Sequence, residues 1–83
     1  MKLLLKRSAQ KELDNLPDKI ALHISRKILE LTNNPFSIGS RKLAGGKGYR
    51  VRIGDYRVVY TVDKSNKTIV VIKIGHRRDV YKS

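Results

Sequence analysis

The sequence predicts an α+β fold: an N-terminal strand and a two-helix hairpin packed on a mainly antiparallel four-stranded sheet, in one domain over residues 1–83. Three observations predict it. Apolar residues recur at helical spacing between Ala9 and Leu31, polar and apolar residues alternate singly from Tyr49 onward, and turn-forming residues cut that second region into strands.

Each element follows from its own residues. The apolar run Leu3-Leu4-Leu5 stops at Lys6-Arg7, too short for a secretory h-region or a membrane span, and reads as a first strand over residues 2–6. Ser8 offers an N-cap for a short helix on which Ala9, Leu13 and Leu16 share a face before Pro17 interrupts. A second helix begins at Pro17 or Asp18. Its stripe is Ile20, Ile24, Ile28 and Leu31, with Lys19, Arg26, Lys27 and Glu30 elsewhere, and Asn33-Asn34-Pro35 ends it. His23, alone in that helix, reads as a surface or boundary residue. Residues 36–48 read as the connection from helices to sheet. Gly45-Gly46-Lys47-Gly48 has the glycines of a phosphate loop, yet it precedes a strand and lacks the Lys-Ser/Thr ending.

The sheet carries the chemistry. Alternation sends Tyr49, Val51 and Ile53 to one face and Arg50 and Arg52 to the other. Gly54-Asp55 suits a two-residue hairpin turn, which pairs Ile53 with Tyr56 and Arg52 with Arg57. Like charges directly opposite one another destabilise a sheet, so this pairing points to an anion held there, most simply a phosphate. An odd-length loop around residues 64–67 would put Val70, Ile72 and Ile74 on the face of Val58, Tyr60 and Val62, whereas an even one would drive Lys73 into the core. The odd loop is therefore expected, and it adds Lys73 and Arg77 to the basic face. The same parity puts Tyr49, Tyr56 and Tyr60 in the apolar layer and leaves Tyr81 outside it.

Charge and length bound the function. Nineteen Lys and Arg against seven Asp and Glu give a net charge of +12, which attracts polyanions. Residues 1–40 hold seven basic and four acidic side chains, and residues 41–83 hold twelve and three. The excess belongs to the sheet. A chain this short buries only roughly 60–65% of its unfolded surface, so its core is thin. With no cysteine and only two histidines far apart, no thiolate or histidine metal site is expected, and a reducing cytoplasm suits it.

The run Y-R-V-R-I-G-D-Y-R-V-V-Y followed by G-H-R-R-D-V-Y resembles the RelE-like toxins of the RelE/ParE toxin–antitoxin superfamily, and the element order agrees across nearly the whole chain. The resemblance implies a metal-independent endoribonuclease without cofactors, which enters the ribosome and cuts messenger RNA. It also implies a cognate antitoxin, through which alone operator DNA would be reached. The family's two basic strand residues correspond to Arg50 and Arg52, its hairpin arginine to Arg57, its late arginine to Arg77 and its terminal tyrosine to Tyr81. Lys47, Lys73, His76 and Arg78 are expected to contact RNA around them. The family's best-known member carries lysines where this chain has Arg50 and Arg52, which shifts the expected mechanism toward electrostatics.

RNA cleavage by a neighbouring 2′-hydroxyl requires removal of a proton, stabilisation of extra phosphate charge and protonation of the leaving 5′-oxygen. Arginine stays protonated and forks across phosphate oxygens, so Arg50, Arg52, Arg57 and Arg77 suit the second task. Tyr81 is expected as the general base, or as a residue that orients the 2′-hydroxyl or stacks on a base; clustered guanidinium groups favour a phenolate. His76 is the alternative, although alternation points it away from the arginines. Two other readings fit the same residues: a ParE-like inhibitor of DNA gyrase, and a noncatalytic nucleic-acid-binding module. The module would bind with a log–log salt slope of roughly −3.5 to −4.5 for about five phosphate contacts.

Overall fold

The computed structural model describes residues 1–36, 40–43 and 48–76. The elements are β1 (Lys2–Leu5), α1 (Arg7–Asp14), α2 (Asp18–Asn33), β2 (Ser40–Lys42), β3 (Tyr49–Ile53), β4 (Tyr56–Asp63) and β5 (Thr68–His76). They form an α+β fold whose sheet runs β1-β5-β4-β3-β2, with β1 parallel to β5 and every other pair antiparallel. The sheet thus has five strands where the sequence predicts four. The additional strand, β2, is three residues of Ser-Arg-Lys with no apolar alternation, and only its pairing with β3 reveals it.

The helices form where the apolar spacing predicts them. Pro17 caps α2, its fixed φ suiting a helix entrance, and the helix ends at Asn33 before Pro35. Helix α1 starts two residues earlier than a Ser8 cap would allow: Lys6 is the cap residue, and its side chain makes no capping bond. The core lies between the helices and one sheet face. Ala9 from α1 and Ile24, Ile28 and Leu31 from α2 pack with Val51, Ile53, Val58, Tyr60, Ile69, Val71 and Ile74. Burying each large aliphatic side chain contributes about 1.5–3 kcal/mol, so this single layer supplies most of the driving force for folding.

The hairpin from β4 to β5 departs from its expected parity. Asp63 pairs with Thr68 across a four-residue loop, an even length. The Asp63 carboxylate accepts the Asn66 backbone N–H at 3.1 Å and the Asn66 side-chain amide at 2.8 Å, closing the turn. Those bonds, the backbone one first, hold the Asp63 carboxyl below its ordinary range. The even loop turns Ile69 and Val71 into the core in place of Val70 and Ile72. Lys73 nevertheless stays out, because the register slips by one residue between Val59 and Tyr60. Val59 faces Lys73, Tyr60 faces Val71, and Ile72 is the extra residue of a β-bulge. The bulge returns Ile74, now paired with Val58, to the core face where the sequence predicts it, and keeps Lys73 on the basic face.

Tyr60 fastens the helix layer to the outer strands. It is fully buried, and its hydroxyl donates to the Pro35 carbonyl at 2.6 Å while the Ser40 hydroxyl donates to it. Burial raises the Tyr60 pKa above 10.0, the Ser40 bond opposes the rise and Tyr49 adds to it. A phenol whose folded pKa is raised contributes stability that is complete below the unfolded value and is lost as pH rises through the folded one. Two results are therefore expected for Tyr60→Phe in urea unfolding. At neutral pH the variant is less stable by about 1–3 kcal/mol, since the Pro35 carbonyl loses a buried donor. Above about pH 10 that deficit shrinks, because only the native chain pays the cost of a buried ionising phenol. A deficit that stays constant with pH would contradict this role.

Candidate functional site

The two-residue turn at Gly54-Asp55 sets the site. Gly54 takes a positive φ of 60°, and the turn pairs Ile53 with Tyr56 and Arg52 with Arg57, as the sequence predicts. Alternation then places Arg50, Arg52 and Arg57 on the sheet face opposite the helices. Strand β2 adds Arg41, whose partner across the ladder is Arg50. Arg41, Arg50, Arg52 and Arg57 line a recess of about 250 Å³.

The four arginines are held differently. Arg57, on the central strand β4, is only 8% exposed, and its Nε is sealed from solvent. Arg52 is exposed and donates from Nε to the Gly54 carbonyl at 3.2 Å, which anchors it beside the turn. Arg50 is half-buried and Arg41 exposed. A guanidinium keeps its proton under all ordinary conditions, so a partly desolvated group such as Arg57 presents a fixed charge whose field is poorly screened by water. The recess can therefore do one thing well: receive an anion with several acceptor oxygens and stabilise charge that grows on it.

Lys73 shares this face, opposite Val59, which itself lies beside Arg50. His76 does not. It pairs with Tyr56 and meets that ring edge-on at 5.5 Å on the helix side of the sheet, which removes it from the recess. Tyr49 and Tyr60 stack with ring centroids 5.8 Å apart in the apolar layer, and Tyr56 packs against the same core. His23 is exposed on α2. Lys47, Arg77, Arg78 and Tyr81 lie outside the described residues. Among the described residues no cluster of His, Cys, Asp or Glu could hold a metal ion, and no helix is long and apolar enough to cross a membrane.

Arg41 is the residue that sequence reasoning missed. Ser-Arg-Lys carries no period that would mark a strand, and only the pairing in the β2–β3 hairpin sets Arg41 opposite Arg50. The Leu43 N–H bonds the Gly48 carbonyl at 2.8 Å where that hairpin closes.

Known proteins resemble this chain in sequence and in fold. The family model described as the ParE toxin of the type II toxin–antitoxin system parDE matches residues 3–81. Toxin RelG of Mycobacterium tuberculosis is 32% identical over 79 residues, covering 90% of this chain and 88% of the relative. The intact RelBE toxin–antitoxin complex of E. coli contains a chain with a TM-score of 0.79 and 27% identity, covering 90% of this chain and 94% of that one. A chain of the RelBE2 complex of M. tuberculosis superposes with a TM-score of 0.83 over 92% of this chain and 96% of its own length; at 23% identity that likeness shows the fold. By the extent of the family match and the identity to RelG, the chain belongs to the ParE toxin family and is a RelE-like toxin of the RelE/ParE superfamily of type II toxin–antitoxin systems.

Proposed function

We propose that this toxin is a ribosome-dependent messenger RNA endonuclease that inhibits translation by cleaving through 2′-hydroxyl attack. The observation that carries the proposal is the recess formed by Arg41, Arg50, Arg52 and Arg57 on one sheet face. Three of these four stand at the positions that the RelE resemblance assigns to phosphate contact.

In this reading the 2′-oxygen attacks the adjacent phosphorus, the P–O5′ bond breaks, and the products are a 2′,3′-cyclic phosphate and a 5′-hydroxyl. Arg57 and Arg50 stabilise the extra negative charge on the non-bridging oxygens, while Arg52 and Arg41 hold the neighbouring backbone. Arg77 extends the clamp and Tyr81 handles the proton. Lys47, Lys73 and Arg78 steer the RNA electrostatically; His76, by its position against Tyr56, contributes at most outside the recess. The chemistry needs no metal or cofactor, because the nucleophile belongs to the substrate. Acting on ribosomes places the protein in the cytoplasm. A cognate antitoxin that covers the arginine face silences it, in keeping with the toxin–antitoxin complexes among the similar structures.

The test uses purified toxin, ribosomes programmed with an end-labelled messenger, and mapping of the ends produced. Cuts within the ribosome-bound codon that leave cyclic phosphate are expected. A second reading, inhibition of DNA gyrase, is favoured by the family model's description, which names a ParE toxin. Loss of gyrase supercoiling with no cleavage on ribosomes would establish that reading and overturn the first.

A further inference from the structure

Phe36 is 48% exposed although it lies just beyond the helix that carries the core stripe. Its surroundings are built. The ring meets Tyr49 edge-on at 5.2 Å, and Tyr49 stacks on fully buried Tyr60. The Tyr60 hydroxyl bonds the Pro35 carbonyl immediately before Phe36 and the Ser40 hydroxyl beyond it. An exposed aromatic is thus held by a hydrogen-bonded, buried scaffold, with little freedom to lose on binding a flat partner.

Two cations lie on its side of the sheet. The Lys64 ammonium lies 5.6 Å from the Phe36 ring centroid. Lys42 is exposed and pairs with Tyr49, so it shares that residue's face. This is the face opposite the arginines, because Tyr49 and Arg50 alternate. The two faces meet along β2, the edge strand, where Arg41 points to one side and Lys42 to the other.

Resting on the RNA reading of the arginine recess, we infer that Phe36 is a base-stacking platform for single-stranded RNA, with Lys42 and Lys64 taking the flanking phosphates. The strand that enters the recess passes around the β2 edge onto the opposite face. An aromatic face accepts any base, so the platform adds affinity without sequence preference. Lys64 leaves the ring when a base arrives, since an exposed cation–π contact is weak, and its ammonium moves to a phosphate.

The chain contains no tryptophan, so Phe36→Trp installs a single indole at the platform, which can be excited apart from the tyrosines. Titration with fluorescein-labelled oligouridine at low salt should quench that tryptophan saturably, with the midpoint read by fluorescence anisotropy. Phe36→Ala should weaken binding roughly five- to hundredfold with its salt slope unchanged. The double variant Lys42→Gln/Lys64→Gln should instead flatten the log–log salt slope by about 1.4. Binding without quenching, native affinity in Phe36→Ala, or no binding of the oligonucleotide at all would each overturn the platform. Quenching without cleavage on ribosomes would sink the nuclease reading and leave the platform standing, and cleavage without quenching would do the reverse.

Discussion

Replacing Arg57 with alanine is expected to slow messenger cleavage on saturating ribosomes by about a hundred- to a thousandfold, the usual cost of removing one donor aimed at developing charge. The expectation comes from its position. Arg57 lies on the central strand, 8% exposed, with Arg52 opposite it and Arg41 and Arg50 lining the same recess. Water screens it least, so its charge should act most strongly on a bound phosphate. Arg57→Lys keeps the charge and loses the fork, and should fall between the native chain and alanine. Arg41→Ala, at the exposed rim, should lower affinity more than rate. Single-turnover kinetics over a range of ribosome concentrations separate the two effects. An undiminished rate in Arg57→Ala would remove that residue from the chemistry.

The largest expected effect on stability belongs to a residue that touches no ligand. Gly48→Ala should destabilise the fold severely. Gly48 has a φ of 117°, and a Cβ added there would come within 2.6 Å of the Tyr60 carbonyl oxygen and 3.2 Å of the Thr61 methyl. The backbone conformation alone costs an L-residue about 1–3 kcal/mol. The clash adds to it, because the obstacle is the backbone of the central strand, which cannot yield without disturbing the ladder. Each kcal/mol lowers the melting temperature of a domain this small by about 4–8 °C. Gly54→Ala is the control. Its φ is 60° with nothing within 4 Å of the added carbon, so only the conformational cost of about 1–2 kcal/mol applies. Equal losses in the two variants, measured by thermal denaturation, would show that the close approach at Gly48 carries no weight.

The parts of this fold that the sequence revealed are those with short-range rules. The hairpin of β3 and β4 was legible because Gly54-Asp55 fixes its register and Tyr49, Val51 and Ile53 alternate cleanly with Arg50 and Arg52. Three members of the arginine recess follow from that register. Strand β2 was not legible, because three residues of Ser-Arg-Lys carry no period, and Arg41 was lost with it. The bulge in β5 was hidden for a different reason. In Ile69-Val70-Val71-Ile72 every residue is apolar, so either face of the strand can serve the core and hydrophobicity cannot choose. Lys73 reached the expected face, by an even loop and a bulge in place of an odd loop. Phe36 carries no periodic signal. Its setting depends on Tyr49, Tyr60 and Lys64, which only the folded chain brings to it.

In the proposed reaction the arginine recess stabilises a phosphate attacked by its own 2′-hydroxyl. Its most direct test is cleavage, on programmed ribosomes, of two messengers that differ only in a 2′-deoxy nucleotide at the scissile position. The native toxin should cut the all-ribose messenger to a 2′,3′-cyclic phosphate and leave the deoxy messenger intact while binding its ribosomes equally well. Cleavage of the deoxy messenger, or of neither, would rule out 2′-hydroxyl attack assisted by the recess.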